Sequence, residues 1–179
     1  MNIKRLYHGS IHSFDQIDIS KGKGFKDFGK GFYAAVNKEH AIRLAKRNKR
    51  HEEIRFRQAR VSSTANAYLY TFELDVTALS NFAVKFFDFA DKDWIFFVAE
   101  NRFSPTRTHN FDVVIGPTAD DDTALTLDSY RSGLFGDPQS YSAIETAIRL
   151  LESNNLPVQW YFGSHTVVSY LQLKGRVAL

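Results

Sequence analysis

The chain has 179 residues, of which 44% are hydrophobic and 15% aromatic, and this composition is typical of a folded globular protein rather than a disordered one. It contains no cysteine, which excludes disulfides and thiolate metal sites, and its formal net charge is only +3. The N-terminal residues form no apolar signal segment, and no stretch is long enough to span a bilayer. We therefore expect a soluble, cytoplasmic protein without membrane contact, folded as a single domain over residues 1–179.

Apolar periodicity and capping residues predict alternating strands and helices along the chain. Strands are expected over residues 3–7, 32–36, 67–76, 112–116 (stopped by Gly116 and Pro117) and 157–162. Helices are expected from residue 38 onward after an Asn37 N-cap, over 91–103, over 138–152 with a proline in the first turn, and from a Ser164 cap to about 171. This order predicts an α+β domain whose helices lie between strands of a largely antiparallel arrangement.

Residues 27–35 place two glycines around Lys30 and then turn apolar and aromatic. Glycines permit positive φ and have no side chain, so the backbone there can approach a ligand closely. The ring of Tyr33, at the start of the following strand, can form one wall of a flat pocket. The alternative is a tight turn before a core strand, which is common in proteins.

Charge is distributed unevenly. Residues 43–60 include eight basic side chains opposed only by Glu52 and Glu53, whereas residues 112–128 are acidic, with three consecutive aspartates at 120–122. The basic stretch is either a solvated helix face or a surface that meets a polyanion or an acidic partner. The aspartates lack the alternating spacing of a calcium loop, and a loop that bonds backbone amides is favoured.

Metal and nucleotide motifs are otherwise missing from the sequence. His8 and His12 are four residues apart, but Gly9 and Ser10 between them disfavour a helix, so we expect no metal site. The sequence contains neither a Walker-type glycine loop nor a nucleophile elbow.

Two segments resemble the first two signature strands of the ADP-ribosyltransferase superfamily, in its histidine-tyrosine-glutamate branch, which includes diphtheria toxin and the poly(ADP-ribose) polymerases. Within that superfamily the chain is most similar to a family of small bacterial proteins. The shared motifs, in order, are Tyr7-His8-Gly9-Ser10, Asp27-Phe28-Gly29-Lys30-Gly31-Phe32-Tyr33, Asn101-Arg102 and Phe111-Asp112-Val113-Val114-Ile115-Gly116-Pro117.

The resemblance implies an ADP-ribosyltransferase-like fold with two mainly antiparallel sheets and NAD bound in a cleft between them. His8 would hold the 2′-hydroxyl of the nicotinamide ribose, Gly9 would bond the carboxamide through its backbone, and Tyr33 would stack on the nicotinamide. The remaining NAD-binding positions implied are Ser10, Lys30, Gly31 and Phe32, with Lys30 near the phosphates or the acceptor.

Two positions depart from the family pattern. Leu44 occupies the place of a second tyrosine that closes the other face of the nicotinamide, and Gln159 occupies the place of the glutamate that assists catalysis. A neutral amide supplies less stabilisation of the positive charge that develops on the ribose. For Arg102, a structural pairing with Asp112 or the aspartates at 120–122 is favoured over a role at the ligand.

The expected function is a mono-ADP-ribosyltransferase that transfers ADP-ribose from NAD to a macromolecule, with His8, Tyr33 and Gln159 as the catalytic residues. The resemblance also suggests a bacterial toxin or effector that pairs with an antitoxin, and the basic stretch from Arg43 to Arg60 would fit an RNA, DNA or acidic protein acceptor. The alternatives are NAD hydrolysis, with water as the acceptor, and a non-catalytic module that binds NAD or a partner.

Overall fold

The computed structural model of the protein describes residues 2–62, 65–119, 121–152 and 156–179. Within those ranges lie seven strands, five α-helices and two short 3₁₀ segments at Ile19–Lys21 and Val76–Asn81. The strands and α-helices are, in chain order, β1 Ile3–Ser10, β2 Phe32–Ala35, α1 Lys38–Gln58, β3 Tyr68–Asp75, β4 Val84–Phe86, α2 Lys92–Arg102, β5 Val113–Pro117, α3 Asp121–Arg131, α4 Tyr141–Glu152, β6 Val158–Phe162, α5 His165–Val168 and β7 Gln172–Ala178.

All of these strands join one mixed sheet in the order β4-β5-β6-β2-β1-β3-β7. Neighbouring strands are antiparallel except β4 and β5, which are parallel. The largely antiparallel α+β arrangement is confirmed, whereas the expectation of two separate sheets is wrong. The halves of the sheet meet at a narrow seam, because β1 pairs with β3 along its whole length but with β2 only at Tyr7 and Ala35.

The sheet separates two apolar layers. On one face, Leu6, Phe32 and Phe72 pack with Val167 of α5 and with Phe14 from the loop after β1. The opposite face is covered by α1 to α4, and its buried residues include Phe28, Trp94, Val98, Leu127, Ile144 and Tyr161. Alternation along the strands decides which side chains reach which layer, so Tyr7, Tyr33 and Tyr161 all lie on the helical face.

Polar caps fix the start of three helices, and two of these caps, Asn37 and Ser164, are the ones that the sequence predicted. The side chain of Asn37 accepts a hydrogen bond from the N–H of His40 at the start of α1, Asp91 accepts from Trp94 at α2, and Ser164 accepts from Val167 at α5. Among the described residues, no helix combines the length and the apolar content needed to cross a membrane.

Several boundaries differ from the sequence expectations. β1 continues through His8 and Gly9 to Ser10, because β3 pairs with every one of its residues. Gly116 and Pro117 are the last residues of β5 rather than its stop, since Pro117 still pairs with Val158. Helix α5 ends at Val168 instead of near residue 171.

Helix α4 begins at Tyr141, three residues after Pro138, because Ser140 is the residue whose hydroxyl accepts from the N–H of Ala143. Asp121 and Asp122 belong to helix α3 instead of a loop, and Asp120 lies outside the described residues. Strands β4 and β7 and helix α3 were not predicted.

Helix α1 packs against β1 more closely than two ordinary residues would allow. Its buried side chains are the small ones of Ala41 and Ala45. A Cβ atom added to Gly9 would lie 2.1 Å from the carbonyl oxygen of Ala41 and 3.0 Å from the nitrogen of Ala45. Gly9 is therefore required by helix packing, whatever else its backbone binds.

Replacement of Gly9 by alanine should consequently force α1 away from β1. We expect Gly9→Ala to lower the free energy of unfolding by about 1–3 kcal/mol, which is the usual cost of overpacking, and urea unfolding monitored by circular dichroism measures it. Gly175→Ala is the matched control, because nothing lies within 4 Å of a Cβ built at Gly175 in β7. Equal unfolding midpoints for the two variants would contradict the assignment.

Candidate functional site

The imidazole of His8 bridges the two halves of the sheet where their pairing stops. Beyond the Tyr7–Ala35 pair, the same register would place Gly9 opposite Tyr33, but the ladder does not continue. Instead, His8 Nδ1 donates to the carbonyl oxygen of Tyr33 at 2.7 Å. The side chain thus replaces a backbone hydrogen bond at the opening between β1 and β2.

Burial keeps the His8 ring neutral. The ring packs beside Phe32, at 4.6 Å between centroids, and near Phe14 and Tyr70. This environment lowers the pKa of His8 to about 4. Because a carbonyl oxygen only accepts, the proton of the neutral ring resides on Nδ1, and Nε2 is an acceptor with no hydrogen-bond partner among the described residues.

Tyr33 closes the glycine turn with its hydroxyl. The hydroxyl donates to the carbonyl oxygen of Gly29 at 2.6 Å and accepts from the N–H of Phe28 at 3.0 Å. Burial, together with the nearby Asp27 carboxylate, raises the pKa of Tyr33 well above its usual range. The ring makes an edge-to-face contact with Tyr161 but remains partly exposed, so a stacking role for it stays a prediction.

The glycines of this turn are occupied by protein contacts. Gly29 has φ +85, a conformation that favours glycine, and it lies against Arg107 and Asn101. A Cβ on Gly31 would lie 2.3 Å from the Tyr161 ring. These glycines thus allow a close approach of the backbone, as the sequence suggested. The groups that the backbone approaches, however, belong to the protein itself and not to a ligand.

Asp27, directly before this turn, is buried and connects four segments. Its Oδ2 accepts from Gln159 Nε2 at 2.8 Å and from the N–H of Ala119 at 2.9 Å, and its Oδ1 faces Arg102 Nη1 at 3.3 Å. Arg102 therefore pairs with Asp27 and not with Asp112, because the carboxylate of Asp112 accepts from the backbone of Ala83 instead. Nothing in the sequence pattern marked Asp27 as the partner.

Gln159 is consequently part of a buried cluster rather than the wall of an open cleft. Gln159 is 9% exposed and Asp27 7%. The amide nitrogen of Gln159 donates to Asp27, and the Oε1 atom of Gln159 has no hydrogen-bond partner among the described residues. The arrangement explains glutamine at this position, since a glutamate would place a second carboxylate against Asp27 without a proton to share.

A shallow cationic cavity of about 330 Å³ lies beside the glycine turn. Its polar lining includes Lys30, Arg107 and His165, together with Ser20 and Thr106. Arg107 forms its inner wall, where its Nη1 donates to the carbonyl oxygens of Phe111 and Gly163. Lys30 is exposed, and sequence reasoning named it but missed Arg107, from the loop after α2, and His165, the first residue of α5.

The structure brings only some of the predicted site residues together. Tyr33 and Gln159 lie on the helical face of the sheet, whereas the His8 ring lies with Phe32 on the other face and reaches Tyr33 through its carbonyl group. Ser10 ends β1 and accepts from the N–H of His12. Among the described residues, no three potential metal ligands converge.

Residues 4–173 match the model of a family described as "Protein of unknown function (DUF3990)", and the chain belongs to that family. No curated protein and no solved structure matches the chain significantly. These comparisons do not test the resemblance to ADP-ribosyltransferases, which remains a prediction.

The lowered pKa of His8 should make stability depend on pH. The pKa of His8 is about 6.5 in the unfolded chain and about 4 in the folded chain. The contribution of the neutral ring to the free energy of unfolding is therefore complete above about pH 6.5 and is lost as the pH falls toward 4. His8→Asn keeps an amide donor for the Tyr33 carbonyl and removes the titration. Between pH 7 and 4 the variant should lose less stability than the parent, by on the order of 2 kcal/mol in urea titrations. Parallel pH curves would show that His8 titrates normally.

Gln159→Glu should be destabilising at alkaline pH because two carboxylates would meet in a buried site. We expect a loss of about 2–4 kcal/mol in the free energy of unfolding at about pH 8, which shrinks as the pH falls and one proton is shared. The double variant Asp27→Asn/Gln159→Glu restores one amide and one carboxylate and should be more stable than Gln159→Glu alone. If Gln159→Glu unfolds like the parent at alkaline pH, the cluster does not hold a charged Asp27.

Proposed function

We propose that the protein is a mono-ADP-ribosyltransferase that uses the opening between β1 and β2 to bind the nicotinamide end of NAD. The observation that supports this most directly is the neutral imidazole of His8, which spans the opening and keeps an unpartnered acceptor at Nε2. An acceptor of this kind is suited to a ribose hydroxyl. The motif order along the sequence supports the same proposal.

NAD would contact residues on both sides of the opening. Nε2 of His8 would accept from a ribose hydroxyl, the backbone of Gly9 would bond the carboxamide, and the ring of Tyr33 would stack on the nicotinamide. The cationic cavity at Lys30 and Arg107 is suited to the pyrophosphate, because ammonium and guanidinium groups donate hydrogen bonds to phosphate oxygens. Leu44, half-buried on α1, would supply an apolar contact in place of a second aromatic ring.

The reaction breaks the bond between the nicotinamide nitrogen and the anomeric carbon of the ribose. Nicotinamide leaves with the bonding electrons, positive charge builds on the ribose, and a nucleophile of the acceptor adds to that carbon and loses its proton. Gln159 would accept a hydroxyl hydrogen bond through Oε1, because Asp27 fixes its amide nitrogen. Asp27, the carboxylate that contacts Gln159, is partly neutralised by Arg102, so we expect slow turnover.

Two contacts favour a second candidate, a module that binds NAD or a partner without turnover. Gln159 is buried in the Asp27 cluster, and Gly9 packs against Ala41. Both contacts restrict access to groups that the reaction would use. Water as the acceptor, which gives NAD hydrolysis, is the remaining alternative.

Three variants test the transferase with NAD radiolabelled in its adenylate phosphate, incubated with protein and nucleic-acid pools. His8→Asn keeps the bond to Tyr33 and removes the Nε2 acceptor, so labelling should fall at least about tenfold without unfolding. Tyr33→Phe keeps the ring and should retain most activity, whereas Tyr33→Leu removes the stacking surface and should lose it.

The products of the incubation distinguish the three candidate functions. Label on a macromolecule supports transfer, free ADP-ribose indicates hydrolysis, and saturable NAD binding without nicotinamide release indicates a binding module. The proposal is refuted if the folded protein neither binds NAD in calorimetry nor releases nicotinamide.

A further inference from the structure

Helix α1 has an unusual share of the positive charge. Lys38–Gln58 includes eight lysines or arginines and three glutamates, so its formal charge of +5 exceeds the +3 of the whole chain. The rest of the protein is therefore slightly acidic. Helix α1 therefore carries the largest share of the positive charge that could attract a polyanion, apart from the smaller group at Lys30 and Arg107.

Five of the eight basic side chains of α1 lie on one face, which also carries Glu39 in the first turn of the helix. At 100° per residue, Arg43, Lys46, Arg47, Arg50 and Arg57 fall within an arc of about 100° that we call the basic stripe. The buried residues Ala41 and Ala45 lie on the opposite side of the helix. The stripe therefore points away from the sheet along its whole length of about 21 Å.

The stripe is exposed, and most of it is unpaired. Ion pairs on α1 join Lys49 to Glu53 and Arg55 to Glu52, and these residues lie outside the arc. In the part of the chain that the structure describes, the side chains of Arg43, Lys46, Arg50 and Arg57 have no ion-pair or hydrogen-bond partner. No residue of α1 after Ala45 is fully buried, and the half-buried residues Asn48, Glu52 and Phe56 lie on the side opposite the stripe.

We propose that the basic stripe of α1 is a docking surface for the phosphate backbone of a nucleic acid. Four of its five cations are arginines, which form paired hydrogen bonds with phosphate oxygens. Arg43, Lys46 and Arg50 follow one another at about one helical turn and Arg57 lies about two turns further on, a row that suits a linear polyanion lying along the helix. The binding surface is independent of NAD chemistry and would exist in a protein without transferase activity.

An acidic protein partner fits the stripe less well. Protein interfaces bury an apolar centre surrounded by a polar rim. The only apolar side chain within the arc is Ile54, which is 41% exposed. A backbone of phosphates needs no such centre, since its affinity comes from charge neutralisation and counterion release.

The stripe also lies next to the proposed NAD site. Arg43 and Arg47 are within one turn of Leu44, and Arg47 is close enough to Lys26 to help lower the pKa of that ammonium, after the larger effect of burial. A strand bound along α1 would thus end beside the opening between β1 and β2.

Fluorescence anisotropy with 5′-labelled single-stranded RNA, single-stranded DNA and duplex DNA tests the proposal, with poly-glutamate as the acidic-protein probe. If about four phosphates are neutralised, the logarithm of the association constant should fall with the logarithm of the salt concentration with a slope of about −3 for single strands. The variant Arg43→Gln/Lys46→Gln/Arg50→Gln/Arg57→Gln keeps helix propensity and should lose at least about tenfold in affinity at low salt. Its circular dichroism and thermal midpoint should match those of the parent, because the removed side chains have no partners.

The matched control removes the same charge elsewhere. Lys92→Gln/Arg131→Gln/Arg149→Gln/Lys174→Gln changes four exposed cations on α2, α3, α4 and β7, and it should bind like the parent. Comparison of the three nucleic acids identifies the preferred form. An equal loss in both variants, no nucleic-acid binding by the parent, or tighter binding to poly-glutamate would each overturn the proposal.

Discussion

The carboxylate of Asp27 is the contact on which the arrangement of the glycine turn depends. It is buried, so its charge has to be met by the protein, and it is met by Arg102 at the end of α2, Gln159 in β6 and the N–H of Ala119 after β5. Removal of one partner of a buried charge costs more than the pair contributes, because the remaining charge stays desolvated. The turn that follows Asp27 is therefore held from three directions by residues distant in sequence. Its shape is set before any ligand binds, which is the condition for a preorganised site.

The sequence predicts those helices and strands that are marked by a local pattern, such as the alternation of apolar residues or a capping side chain. Strand β3 alternates apolar and polar residues between two layers, and α1, α2 and α5 begin at side chains that cap them. The elements missed have no such pattern. Strand β7 is an edge strand with most of its side chains exposed, and β4 has three residues that are fixed by parallel pairing with β5. Their positions follow from tertiary contacts, which local periodicity does not encode.

Residue types at the site were predictable, but their partners were not. Gly9, Gly31 and Tyr33 were selected from the sequence because of small size or an aromatic ring, and each makes a close contact in the structure. The pairing of Gln159 with Asp27 joins residues 132 positions apart, and no spacing rule reaches that far. In the sequence, Gln159 stands where the ADP-ribosyltransferases that the chain resembles have a charged glutamate. In the structure it is the side chain that a site already containing an aspartate can hold.

The close packing of α1 connects the two proposals physically. Alanines at positions 41 and 45 and a glycine at position 9 let the helix axis approach β1, one of the two strands that border the opening. The basic stripe is on the far side of that helix, one helix diameter of about 10 Å from the buried face. The distance between the basic stripe and the opening therefore depends on the small residues at the contact between α1 and β1. A larger residue at position 9 would push α1 away from β1. A polyanion bound along the stripe would then lie farther from the candidate NAD site, although the charges of the stripe would be unchanged.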